Sequence, residues 1–203
     1  MSITQKLKKG AAWTLGRALP IQKNKVVFSS FYGRGASDNP KAIVDALAQR
    51  PEKLDIVWLA KDPAHAGVPD NVRVVPYDTP AAIRELSTAR VWVDNCRKGA
   101  HVKKDGQYYM QTWHGFALKR IERDVADKLN TPENAAYAEY AKRDSAQIDA
   151  IISNSTFMTE IYQKSFWYHG AVLEYGSARN DILVHPPADA KHQVQQALHL
   201  PND

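Results

Sequence analysis

From residue 25 onward, short apolar runs alternate with stretches patterned as helices, and no other feature restricts the fold as much. The runs KVVFSSF (25–31), LDIVWLA (54–60), VRVVPY (72–77), RVWVDN (90–95), QYYMQTW (107–113), AIISN (150–154) and AVLEYG (171–176) read as strands. Helical patterning covers 40–50, 80–88, 132–146, 156–166 and 187–199, with Ser153 or Ser155 as the cap before the fourth of these. Asn39 reads as the N-cap of the first, with Pro40 at the position where a missing N–H costs nothing. Such alternation predicts βαβ units and an α/β fold around a mostly parallel, doubly wound sheet. The strands are Val/Ile-rich runs rather than strict apolar–polar alternations, which suits a sheet covered on both faces. In an open sheet of this kind ligands bind beyond the carboxyl ends of the strands, so the turns that follow strands are where chemistry is sought.

Charge and cysteine content narrow the function classes. The chain has 203 residues and a formal net charge of +5. Residues 1–25 carry Lys6, Lys8, Lys9, Arg17, Lys23 and Lys25 with no acid, and the other 178 residues are close to neutral. No basic stripe with interleaved aromatics is present, which argues against nucleic acid as a partner. A single cysteine, Cys96, excludes an intramolecular disulfide framework and a multi-cysteine zinc site. No apolar run approaches the ~18 residues that span a bilayer, and no signal-peptide apolar region is visible. No metal-binding, Walker or nucleophile-elbow pattern is found.

The first 20 residues form a helical pattern ended by Pro20, with Ile3, Leu7, Ala11, Leu15 and Leu19 on one stripe. Lys6, Lys8, Lys9, Trp13 and Arg17 lie off it. Two readings stand side by side: a helix docked on the domain, or an in-plane helix at an anionic membrane surface with Trp13 at the interface.

Three turns after strands hold groups suited to chemistry. The first is Gly33-Arg34-Gly35 followed by Ser37, Asp38 and Asn39, where two glycines allow close backbone approach and Arg34 offers a phosphate contact. A plain structural turn is the competing reading. The second is Gln111-Thr112-Trp113-His114-Gly115, which puts a histidine at a strand's carboxyl end. Its ordinary pKa near 6.5 suits a general base, and Lys119, Arg120 and Arg123 follow closely. Here the competing reading is a histidine satisfied by a backbone carbonyl beside a solvated basic face. The third is Gly176-Ser177-Ala178-Arg179-Asn180-Asp181, in which Arg179 pairs with a phosphate or an acid across the cleft, or Asn180 or Asp181 simply starts a short helix. The other histidines, His65, His101, His169, His185, His192 and His199, show no ligand spacing and read as surface or structural.

At these residues the chain resembles the CDP-glycerol:poly(glycerophosphate) glycerophosphotransferases, the polymerases of teichoic acids and similar capsules. The stretches that carry the resemblance are VVFSSFYGRGASDNPKAI, IVWLAKD, YYMQTWHGFALKRI, ISNSTFMTEIYQKSFWY and EYGSARNDIL, in family order across residues 24–184. The resemblance implies a Rossmann-like domain corresponding to the N-terminal half of a GT-B-type two-domain transferase. It implies His114 as catalytic base, taking the proton from the terminal hydroxyl of a polyol-phosphate polymer or lipid-linked acceptor. That oxygen attacks the glycerol-bearing phosphate of CDP-glycerol, and CMP leaves. No metal and no cofactor beyond this donor substrate is implied, so cations must stabilise the phosphoryl charge. Lys119, Arg120 and Arg179 are the candidates, with Gly33, Arg34, Gly35, Trp113, Gly115 and Asp181 as further substrate-binding positions. The chain departs from the family pattern at Phe116, Ala117 and Ala178, where a Thr, a Pro and a Pro are usual.

The expected organisation is a basic amphipathic helix over 1–23, an acceptor-side domain over 24–184, and a helix and hinge over 185–203 leading toward a C-terminal donor domain that this sequence lacks. The expected setting is cytoplasmic, peripheral to the inner face of the cell membrane, with residues 1–23 on its anionic surface. The competing functions are a non-catalytic membrane-associated acceptor-binding module working with a separate donor-binding subunit, and a stand-alone Rossmann nucleotide binder. The last is disfavoured because the Gly33/Gly35 turn lacks a third glycine and no suitably placed ribose acid follows.

Overall fold

The computed structural model describes residues 3–99, 101–128 and 131–201. The elements in chain order are α1 (Ile3–Ala18), β1 (Gln22–Ser29), α2 (Asp38–Ala48), β2 (Asp55–Ala60), β3 (Arg73–Pro76), α3 (Pro80–Thr88), β4 (Ala89–Asp94), β5 (Tyr108–Gln111), α4 (Arg123–Ala126), α5 (Pro132–Ser145), β6 (Ala150–Ser153), α6 (Thr156–Ser165), β7 (Ala171–Glu174), α7 (Asp181–Val184) and α8 (Ala190–Leu198). The seven strands form one sheet in the order β3-β2-β1-β4-β5-β6-β7, and every neighbouring pair is parallel. The Rossmann-like doubly wound architecture expected from the alternation is therefore the one observed.

Side chains of β1 and β2 alternate between two cores. Val27, Val57 and Leu59 face one side with Trp92, Tyr109 and Met158, and Val26, Phe28, Ile56 and Trp58 face the other with Val44 of α2. Burial on both faces is the physical reason these strands are continuous apolar runs. Strand order reverses between β1 and β4, whose register pairs Phe28 with Val93 and Ser29 with Asp94. Both strands thus end at the same level, and the crevice at this switch point opens beyond Ser29 and Asp94.

Helix starts follow local chemistry. Thr79, Thr131 and Ser155 cap α3, α5 and α6, each accepting from the backbone N–H three residues on. The start of α2 differs from the expectation. Its helix begins at Asp38 after Ser37, and the Asn39 side-chain Oδ1 accepts from the backbone N–H of Arg179 at 3.2 Å instead of capping. A tertiary contact has taken the group that local pattern assigned to the cap.

The turn after β1 is a 3-10 turn over Phe31–Gly33. Gly33 has φ +79, and a Cβ placed there would lie 2.6 Å from Cγ of Tyr77. Gly33→Ala is expected to cost about 2–4 kcal/mol from left-handed strain and overpacking together. Urea unfolding would read this directly; a loss within about 0.5 kcal/mol would contradict the close approach.

Helix α1 is docked on the domain, but through the face opposite to the predicted apolar stripe. Leu7 and Leu15 are 69% and 70% exposed. The buried side carries Gly16, where a Cβ would meet Ser87 Oγ of α3 at 2.3 Å. Trp13 packs against the core and against His101 at 5.3 Å between ring centroids, rather than standing at an outer interface. Lys9 pairs with Asp78 at 2.5 Å. Lys104 Nζ donates to the carbonyls of Gly16 and Leu19, binding the negative end of the helix. The basic N-terminal segment is also less free than its sequence suggests. Lys25 is buried and bridges Glu85 at 2.6 Å and Asp55 at 3.5 Å. Among the described residues no helix is long and apolar enough to cross a membrane.

The docking has a titration signature. Burial, aided by Lys98 and Lys9, pushes the His101 imidazole down to about 4. Unfolded, the same group takes up its proton near 6.5, so between these values the unfolded state binds more protons. Stability is expected to fall as the pH drops through this window, by about 2 kcal/mol at pH 4.5. His101→Gln should remove that slope, and urea titrations at pH 7 and 4.5 would show whether it does.

Candidate active site

Beyond β5 the chain is steered by Gln111, which is almost wholly buried. Its Nε2 donates to the Cys96 carbonyl at 3.1 Å and to the Tyr109 hydroxyl at 2.9 Å. That leaves Oε1 to accept from the Trp113 backbone N–H at 2.9 Å. Trp113 has φ +51, an outlying conformation for so large a residue. The surroundings hold it there: its ring meets Phe166 edge-on at 4.7 Å, and the Arg97 guanidinium lies 5.9 Å from its centroid. Stacked on it at 4.4 Å is the imidazole of His114. Phe31, from the turn after β1, lies tilted against that imidazole at 5.8 Å between centroids.

His114 is therefore oriented by two aromatic rings. Among the described residues no protein hydrogen bond reaches its ring nitrogens. Burial is the largest influence on its proton affinity and lowers its pKa below the ordinary value, with Asp38 opposing and Arg179 assisting. The imidazole is neutral at pH 7 with a nitrogen available to accept a proton, as a general base requires. Gly115 beside it leaves open space, since a Cβ there would meet nothing within 4 Å.

The three turns converge at this point. Arg179 Nη1 donates to Asp38 Oδ1 at 2.5 Å and to the His114 carbonyl at 3.2 Å. Asp38, at φ +65, is braced by Asn95 Nδ2 at 2.6 Å, and Asn95 Oδ1 accepts from the Phe31 N–H at 2.8 Å. Both readings of the Arg179 turn are present: Arg179 pairs with an acid across the crevice, and Asp181 opens the short helix α7. Among the described residues Nε and Nη2 of Arg179 have no protein partner, which leaves one edge of the guanidinium for a phosphate.

Other sequence candidates are placed differently. Gly33 and Gly35 shape the turn behind Phe31, both with positive φ, and the Gly35 carbonyl accepts from Ser30 Oγ at 2.8 Å. Arg34 is exposed at the tip of that turn. Lys119 and Arg120 are exposed and make no ion pair among the described residues. Arg120 lines a separate hollow beneath Trp113 with Glu122 and Tyr137. Asp181 is exposed at the start of α7. Among the described residues no group of His, Cys, Asp and Glu could hold a metal ion.

The sequence reading passed over the turn after β4, Asp94-Asn95-Cys96-Arg97-Lys98, which is the hub of the site. Asp94 accepts from Lys98 Nζ at 2.6 Å and from Ser29 Oγ. Its other oxygen accepts from the Cys96 N–H at 2.9 Å. Arg97 is buried between Glu122 at 2.8 Å and Asp144 at 3.3 Å. A run of polar residues directly after a strand was the available signal, by the same rule that singled out the other three turns.

The fold and the site together define a Rossmann-like domain with a neutral histidine, a half-engaged arginine and a strained aromatic turn at the switch point of its sheet. Comparison with known proteins narrows the class. The profile of the CDP-Glycerol:Poly(glycerophosphate) glycerophosphotransferase family matches residues 12–203, and this chain belongs to that family. It is 31% identical over 188 residues to the teichoic acid poly(glycerol phosphate) polymerase of Staphylococcus epidermidis, covering 90% of this chain and 26% of that protein. It is 31% identical over 189 residues to the teichoic acid glycerol-phosphate transferase of Staphylococcus aureus, covering 89% and 48%. The solved wall teichoic acid polymerase TagF superposes with a TM-score of 0.85 at 28% identity, over 100% of this chain and 55% of that one. A variant of the same polymerase soaked with CDPG gives 0.85 at 28% identity, over 100% and 57%. The chain thus spans about half the length of the solved relatives and a quarter to a half of these curated ones.

Proposed function

We propose that this chain is the acceptor-side half of a GT-B-type glycerophosphotransferase that moves glycerol phosphate from CDP-glycerol to a teichoic-acid-like or capsule polymer. The observation that carries the reading is His114 packed against the Trp113 and Phe31 rings, with the free edge of Arg179 at the same crevice. The acceptor hydroxyl gives its proton to His114 as its oxygen bonds to the glycerol-bearing phosphorus. The bond from that phosphorus to the bridging oxygen breaks, and CMP departs with the bonding pair. Arg179 meets the charge developing on the phosphoryl oxygens, while Asp38 holds its other nitrogen in place. Lys119 and Arg120 sit exposed on the loop after His114 and add positive charge on that side of the crevice.

The donor belongs to a second, C-terminal half. The hollow next to Gly115 that Asn39, Thr112 and Arg179 line, which the His114 ring does not enter, amounts to about 10 Å³, against the roughly 300–1,000 Å³ of small-molecule sites. The test is transfer of labelled glycerol phosphate from CDP-glycerol to a polyol-phosphate acceptor. A polypeptide joining this chain to a family donor half should turn over, and residues 1–203 alone should not. Robust turnover by the chain alone would overturn the half-site reading.

Membrane attachment rests on α1. Its docked face fixes it to the domain, while Leu7 and Leu15, eight residues apart on one stripe, face outward with Lys8 and Arg17 exposed nearby. This supports a peripheral position on the inner, anionic face of the cell membrane, where a lipid-linked acceptor would be held. Leu7→Gln with Leu15→Gln should weaken sedimentation with anionic vesicles about tenfold or more. Undiminished binding by the double variant would remove α1 from that role.

A further inference from the structure

A second cavity opens at the carboxyl edge of the sheet, on the other side of the Phe31–Gly33 turn from His114. It measures about 390 Å³ and lies between α1, the turns after β3 and β4, and α5. Phe31 and Tyr32 both have positive φ, at 43° and 58°. This strained pair sends one ring toward His114 and the next into the cavity. Asp78, also on its wall, has φ +60. Strain of this kind persists only where the surroundings enforce it, and it gathers at ligand sites.

The lining is aromatic and hydroxyl-rich: Trp13, Tyr32, Tyr77 and Tyr140, with His101 and Asp78. Among the described residues the Tyr77 and Tyr140 hydroxyls make no hydrogen bond to protein, and His101 Nδ1 is buried without a partner, at a cost in free energy. The nearby cations do not make this an anion site. Lys98 is paired with Asp94, Arg97 with Glu122 and Asp144, and Lys9 with Asp78. With acids matching cations around it, the cavity offers no surplus positive charge to a phosphate.

We propose that this cavity binds an uncharged sugar ring, whose C–H faces pack on the aromatic walls and whose hydroxyls pair with the tyrosine hydroxyls and Asp78. Ring stacking supplies the apolar contact and the polar groups fix orientation, the division of labour usual in small-molecule sites. The site is independent of the transfer chemistry, so it stands or falls separately from the role of His114. If both hold, an acceptor carrying a sugar would gain a foothold one turn away from its reacting hydroxyl.

Saturation-transfer NMR on the 203-residue chain tests this with methyl β-glucoside, methyl N-acetyl-β-glucosaminide, cytidine, glycerol 1-phosphate and inorganic phosphate. At least one glycoside should bind saturably, more tightly than cytidine or either phosphate. Tyr140→Ala should weaken it about fivefold or more, and Tyr140→Phe, which keeps the ring, about threefold. Trp13→Phe keeps a packed ring in α1 and should alter the saturation pattern on the sugar protons. No saturable glycoside binding, equal affinity in Tyr140→Ala, or preference for cytidine or phosphate would overturn the assignment.

Discussion

His114→Ala should reduce kcat/KM for glycerophosphate transfer by about 10²–10⁴, the usual contribution of a positioned general base, with the fall in kcat rather than in acceptor KM. The assay uses the chain joined to a donor half, as above. Trp113 and Phe31 pack against the imidazole without hydrogen-bonding it, so His114→Gln should be nearly as defective although it restores polarity. The pH profile separates a base from a merely structural ring. Burial, first, lowers the pKa of His114, Asp38 raises it and Arg179 lowers it. The acidic limb should therefore lie below the ordinary histidine value of 6.5. Asp38→Asn should move it lower still and Arg179→Gln should move it up. A limb that ignores both substitutions would show that another group is titrating.

Arg97→Met should destabilise the domain by about 3–5 kcal/mol, because it strands two buried carboxylates. The guanidinium meets Glu122 at 2.8 Å, Asp144 at 3.3 Å, Ser145 Oγ at 3.0 Å and the Ala141 carbonyl at 3.1 Å. Burial already pushes the Asp144 carboxyl above its ordinary range with Arg97 beside it. Urea unfolding would read the loss. Adding Glu122→Gln should return part of it, since one uncompensated charge is then gone. The same guanidinium lies 5.7 Å from the Phe166 ring and 5.9 Å from the Trp113 ring. Glu122, held at φ +54, belongs to the loop that follows His114. Arg97 thus ties the loop, α5 and the turn under His114 together. Arg97→Lys, which keeps charge but not the fork, should recover stability better than it recovers transfer. Full activity in Arg97→Lys would show that the fork does not position the histidine.

The strands were legible because each is a Val/Ile run covered on both faces, and burial on that scale leaves a mark in composition. His114 was legible for a related reason: a histidine before glycine at the end of a strand points to the edge where such sheets bind ligands. The exposed stripe of α1 misled, because an apolar stripe normally faces the core. Here Gly16 lets the opposite face approach Ser87, so close backbone packing with Trp13 outweighed the leucines. Lys25 read as part of a basic tail, yet it is buried against Glu85, 60 residues away. Asp38, which the sequence shows only as a turn residue after the two glycines, is the counter-ion of Arg179, 141 residues further on.

By itself the sequence determined the parallel α/β class, the order of its elements and the strand end that carries the histidine. Those follow from periodicity and from turn residues, which are local properties of the chain. Which residues share a charge, which face of α1 is buried, and how Arg97, Asn95 and Asp38 brace the site were decided only by the tertiary structure. Each depends on groups brought together across the switch point from distant strands, and no spacing along one segment records a distance across the sheet.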